Sequence, residues 1–99
     1  MKIIQAIYGE EYKINIRFDD GLEGVLDLNQ DLEKFKETRF FELTDIENFK
    51  KFFINDIGNL EWYNGWDYCK DDIYMKLNNV DTDNECDVIA FLERYRNAV

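Results

Sequence analysis

Asp19-Asp20, Asp27, Asp67 and Asp71-Asp72 are the residues of this chain whose type and spacing could do chemistry. Gathered by folding, hard oxygens of this kind hold a divalent ion or divide acid and base roles between two carboxylates. Their spacing does not require that they meet, and Asp beside Asp or Gly forms turns far more often than it catalyses. Asp81, Asp83, Glu85 and Asp87 alternate like the opening of a calcium loop, yet Cys86 stands where that loop needs Gly and Leu92 where it needs a bidentate Glu. Helix capping on an exposed loop is the simpler account of those four. Cys69 and Cys86 have no His partner, and their separation fits neither a redox nor a zinc motif, so both are expected as ordinary buried or half-buried thiols.

The chain has no His, no Ser and no Pro. That removes the commonest general base, the commonest hydroxyl nucleophile and the commonest transition-metal ligand together. Most familiar hydrolase mechanisms are thereby excluded. Recognition chemistry is better supplied, by Leu60-Glu61-Trp62-Tyr63-Asn64-Gly65-Trp66-Asp67-Tyr68. Alternation sends Leu60 and Trp62 to a core, and the Asn-Gly turn then offers Tyr63 or Trp66 to solvent. Exposed Trp and Tyr bury much area at small entropic cost, which makes them favoured interface anchors. Tyr63, Trp66, Asp67, Asp71 and Asp72 are therefore the candidate partner-binding residues.

The partner's chemistry follows from charge. The formal net charge is −10, shared between the halves: residues 1–50 carry 7 basic and 12 acidic groups, residues 51–99 carry 5 and 10. Each nucleic-acid contact needs Lys or Arg to displace condensed counterions, so direct nucleic-acid binding is not expected, and a basic protein surface is the fitting partner. Acidity also serves solubility alone. No apolar run approaches the roughly 20 residues that span a bilayer, and no basic-then-apolar leader opens the chain. A cytoplasmic protein with reduced thiols and no membrane partner is expected.

The elements that must position these residues read as an α+β domain over residues 1–99, with a core in 1–77 and a helical extension in 78–99. Strands are expected at 2–8, 12–18 and 24–28, joined by Gly9-Glu10-Glu11 and Asp19-Asp20-Gly21, as an antiparallel meander. The segment 29–41 reads as a short helix running into a loop, with Leu32 and Phe35 at helical spacing, and Phe40, Phe41 and Leu43 anchor that loop to the core. Thr44-Asp45-Ile46-Glu47 has the form of a capping box, so a second helix starts near Asp45 and buries Ile46, Phe49 and Phe52 or Phe53. Asp56-Ile57-Gly58 turns between two further strands, taken to extend the same sheet, for four to five strands in all. Asp71 to Tyr74 is expected to make no more than one helical turn. A C-terminal helix through Tyr95, capped by Asp83 or Asn84, has Val88, Phe91, Leu92 and Tyr95 on one stripe.

The order of these residues resembles the bacterial domain-of-unknown-function family 2442. Tyr12 to Phe18, Asp20-Gly21 and Gly24-Val25-Leu26-Asp27-Leu28 are similar to its strand, turn and strand opening. Phe41-Glu42-Leu43-Thr44-Asp45 with Phe49 resembles its helix entry. Leu60-Glu61-Trp62, Asn64-Gly65, Asp67 and Ile73-Tyr74 resemble its pattern W-P-N-G-x-D-L-x-P-x-x-L-Y, with Tyr63 and Lys70 in place of the prolines. The likeness covers about residues 3–77. Some relatives continue into a helix-turn-helix domain, for which one helix after Leu77 leaves no room. The resemblance implies a non-enzymatic, antitoxin-like binding role with no cofactor, covering the basic cleft of a compact toxin. The even acidity also fits a phage-type, anti-CRISPR-like mimic of nucleic acid on a basic nucleic-acid enzyme. Self-association into a homo-oligomer through the aromatic turn is a further expectation.

Overall fold

A computed structural model of the chain describes residues 2–78 and residue 89. Strands β1 (Ile3–Tyr8), β2 (Lys13–Phe18) and β3 (Glu23–Asp27) form one antiparallel sheet in the order β1-β2-β3. Helix α1 (Asn29–Phe35), a 3-10 turn (Phe41–Thr44) and helix α2 (Ile46–Phe49) lead to a second antiparallel meander, β4 (Phe52–Ile54), β5 (Leu60–Trp62) and β6 (Asp67–Tyr68), and then to helix α3 (Lys70–Leu77). The α+β class holds. The single sheet of four to five strands is corrected to two sheets of three strands each. Alternation identifies strands but not their ladder partners, and the two helices between β3 and β4 let the later hairpins close on themselves.

Period-two burial does the packing. Ile14, Ile16 and Phe18 of β2, Ile3 of β1 and Leu26 of β3 face inward and meet Leu60 and Trp62 of β5, with Leu28, Leu32, Leu43, Phe49 and Ile73 completing one cluster. Phe49 sits at its aromatic centre, with ring centroids 5.1 Å from Tyr12, 5.7 Å from Trp62 and 5.9 Å from Tyr8. Tyr12 is not in β2. It and Glu11 take positive φ values in the β1–β2 connection, and the Tyr12 hydroxyl donates to the Thr44 carbonyl.

One turn design recurs. In the β5–β6 hairpin Gly65 N–H bonds Trp62 O at 3.0 Å, Trp62 N–H bonds Trp66 O at 2.8 Å, and Gly65 has φ of 94°. This is the three-residue loop that ends in a left-handed residue, the position where a side chain is strained. Gly21 and Gly58 close the β2–β3 and β4–β5 hairpins in the same way.

Three local readings are corrected. The cap of α2 is Asp45, whose Oδ1 accepts Glu47 N–H at 3.0 Å, while the Thr44 hydroxyl turns back to Phe41 O. Phe41 is exposed rather than an anchor, although Leu43 is fully buried and Phe40 packs against the core. Helix α3 has eight residues, about two turns, because its cap is not local. Cys69 offers no side-chain cap; the Oδ1 of buried Asn59 accepts Lys70 N–H at 2.9 Å instead, and Asn78 Nδ2 bonds Tyr74 O at the far end. Apart from residue 89, the expected C-terminal helix lies outside the described residues, as do the Asp81 to Asp87 set and Cys86.

Asp20 lies in the β2–β3 turn and ties it to α3. Its carboxylate accepts the Tyr74 hydroxyl at 2.6 Å and Leu22 N–H at 3.0 Å, which together hold its pKa below the ordinary carboxylate value. A group with a depressed folded pKa stabilises the fold above its unfolded value, and that contribution is lost as pH falls through the folded one. Asp20→Asn is therefore expected to shallow the loss of stability on acidification below about pH 4. Thermal melts of both proteins across that limb check it; parallel curves would refute it.

Candidate functional site

The register of β4, β5 and β6 sorts the aromatic run between two faces. Ile54, Leu60 and Tyr68 stand in one cross-strand row and Phe52, Trp62 and, by continuation of the register, Trp66 in the next. Both rows face the core. Trp62 is fully buried and donates its Nε1–H to Phe49 O at 2.7 Å. Trp66 is half-buried, with its ring centroid 4.5 Å from Trp62 and 4.6 Å from Phe35 of α1.

The alternate row is Phe53, Glu61 and Asp67. Alternation requires that it face outward, and Phe53 is 47% exposed, as is Tyr63 in the turn beyond Glu61. Lys51, two residues before Phe53, places its Nζ 5.3 Å from the centre of the Tyr63 ring. Glu42 reaches the same turn, accepting Asn64 Nδ2 at 3.3 Å, and Asn55 Nδ2 holds Glu61 Oε1 at 3.0 Å. Desolvation first, then the Glu42 and Asp45 carboxylates, hold the Tyr63 hydroxyl above its ordinary pKa, so the local field disfavours added negative charge. Lys51 shows that this face attracts a cation, and the exposed Phe53 and Tyr63 rings beside it can bury an apolar stem.

The predicted residues thus separate. Tyr63 and Asp67 lie on the outer face, whereas Trp66 packs inward, because two residues beside a three-residue loop, Trp62 and Trp66, are cross-strand neighbours. Asp71 and Asp72 are exposed in the first turn of α3, where carboxylates complement the helix dipole. Asp72 belongs to the surroundings of Tyr68: burial pushes that hydroxyl's pKa up, Lys76 opposes the rise, and Asp31 and Asp72 support it. Of the pair Phe52 or Phe53 expected in the core, Phe52 packs inward and Phe53 faces out. Its signal was the alternation Phe52, Phe53, Ile54, which cannot bury neighbours on one face.

No three Cys, Asp or Glu side chains among the described residues converge to hold a metal ion. Asp27 is turned instead to Asn29, accepting its backbone N–H at 3.0 Å and its Nδ2 at 2.7 Å. Cys69 is exposed rather than buried, since Tyr68 takes the inward position beside it. No helix among the described residues is long and apolar enough to cross a membrane.

A family model described as a protein of unknown function, DUF2442, matches residues 3–79. The chain belongs to the DUF2442 family. That span takes in both meanders and all of α3, so the outer aromatic face lies within the DUF2442 region. No curated protein and no solved structure matches the chain.

Proposed function

We propose that this DUF2442 protein is a non-enzymatic binding module that covers a basic surface of a protein partner, in the manner of an antitoxin. The observation that carries the reading is the outer row of the second sheet, where exposed Phe53 and Tyr63 stand among Glu61, Asp67 and Glu42. An interface of this make-up draws affinity from a few desolvated aromatics, while charge sets the rate and selectivity of encounter. The net charge of −10 adds long-range attraction for a basic partner and repulsion of nucleic acid.

The test is co-expression with the product of the neighbouring gene of the native host. A stoichiometric complex and relief of growth inhibition are expected, with Phe53→Ala and Tyr63→Ala each weakening the complex about tenfold or more without loss of folding. Asp67→Lys should slow association and flatten its salt dependence. Absence of a complex, or one indifferent to Phe53 and Tyr63, sinks the proposal. Salt-dependent displacement of nucleic acid from the partner would transfer the same face to a nucleic-acid mimic instead.

A further inference from the structure

The outer face of the first sheet carries a charge pattern that its own copy complements. Arg17 pairs across to Glu23 and Lys13 across to Asp27, with Ile7, Asn15 and Val25 in the row between them. All of these positions alternate with buried residues and so point away from the core. Ile7 and Val25 are 52% and 55% exposed. The β2 column is thus basic and the β3 column acidic. In a chain of net charge −10, the two basic and two acidic residues of this face cancel.

We infer that a second copy of this chain stacks on that face as a two-fold dimer. A two-fold axis lying between the sheets, parallel to the strands and midway between β2 and β3, sets β2 of each copy over β3 of the other. Row registers are preserved by that rotation. Arg17 of each copy then faces Glu23 of its mate, Lys13 faces Asp27, and each Val25 faces Asn15 across the gap beside the axis. An axis perpendicular to the strands would instead oppose Arg17 to Lys13, so the charge pattern selects one arrangement. Arg17 Nε already lies 3.0 Å from Glu23 Oε1 within one copy, and stacking at about 10 Å lets each ion meet a second counter-ion across the gap. Two strands of five or six residues make a contact below the standard interface size, so the dimer is weak.

Sedimentation velocity of the full chain over about 5–300 µM reads the association directly. The wild type is expected to pass from monomer to dimer. Arg17→Glu alone and Glu23→Arg alone should each weaken association at least tenfold, because each sets like charges opposite. Mixed in equal amounts, the two variants should form a heterodimer at wild-type concentrations. The carboxylate introduced at position 17 of one then faces the guanidinium introduced at position 23 of the other, and the unchanged Glu23 of the first faces the unchanged Arg17 of the second. Recovery on mixing also shows that both variants are folded. A wild type that stays monomeric throughout overturns the dimer. So do single variants that associate like the wild type, or a mixture that remains monomeric.

Discussion

Trp62→Ala is expected to unfold the protein or reduce it to a small fraction of its stability. Trp62 has no solvent exposure, its ring lies 4.5 Å from Trp66, 5.7 Å from Phe49 and 5.8 Å from Phe52, and its Nε1–H serves Phe49 O. Truncating a buried Trp costs about 3–5 kcal/mol through lost transfer energy and cavity. Leaving the Phe49 carbonyl without its partner adds about 1–3 kcal/mol. Small domains have about 5–15 kcal/mol in total, so the sum decides between folded and unfolded. Trp66→Ala removes a half-buried ring and should cost about half as much. Tyr63→Ala, at an exposed turn position, should stay within about 0.5 kcal/mol. Urea titrations of the three variants followed by circular dichroism test that order; a Trp66 variant as unstable as the Trp62 variant, or a Tyr63 variant more unstable than either, would contradict the assigned faces.

Asn59→Ala is expected to cost about 2 kcal/mol, well beyond a surface substitution. Asn59 is buried, its Oδ1 caps α3 at Lys70 N–H, and its backbone N–H bonds Asn55 Oδ1 at 3.0 Å. One side chain thus joins the β4–β5 hairpin to the start of the helix that covers β3, and Leu77 at its end lies against Gly24. Alanine leaves the Lys70 N–H without its acceptor and the first turn of α3 unanchored. Asn59→Asp keeps the acceptor and adds favourable charge at the helix start, so it should retain most of the stability. Hydrogen exchange separates the local effect from the global one: amides of Ile73 to Leu77 should lose protection first. Uniform loss across both sheets would show that Asn59 acts through the core instead.

Much of this fold is legible in the residues before any coordinates. The strict alternation of Ile14, Ile16 and Phe18 against Asn15 and Arg17 gives β2 its inward face, and the Gly of the β2–β3, β4–β5 and β5–β6 hairpins marks the left-handed turn position. Leu32 in α1 and Phe49 in α2 are recognisable as core by helical spacing. Short elements are harder to read. Helix α3 reads as a single turn because its cap comes from Asn59, which adjoins Lys70 only after β5 and β6 have paired. The candidate site is half legible: Tyr63 and Asp67 share the outer side with Phe53, while Trp66 is held inward by Phe35 of α1, a contact between residues far apart in the chain.

Period-two burial, turn positions, the acidic balance and the lack of a histidine or serine for catalysis depend only on composition and on neighbours along the chain. These are local steric and compositional facts, fixed before the chain folds. The tertiary structure alone decided which strands share a ladder, which of two adjacent aromatics faces solvent and which distant amide caps a helix. Each of those is settled by competition for a common core, where Phe49, Trp62 and Trp66 leave no space for Phe53 or Tyr63. The outer face of the second sheet is therefore a product of packing, and the residues offered to a partner are those the core could not take.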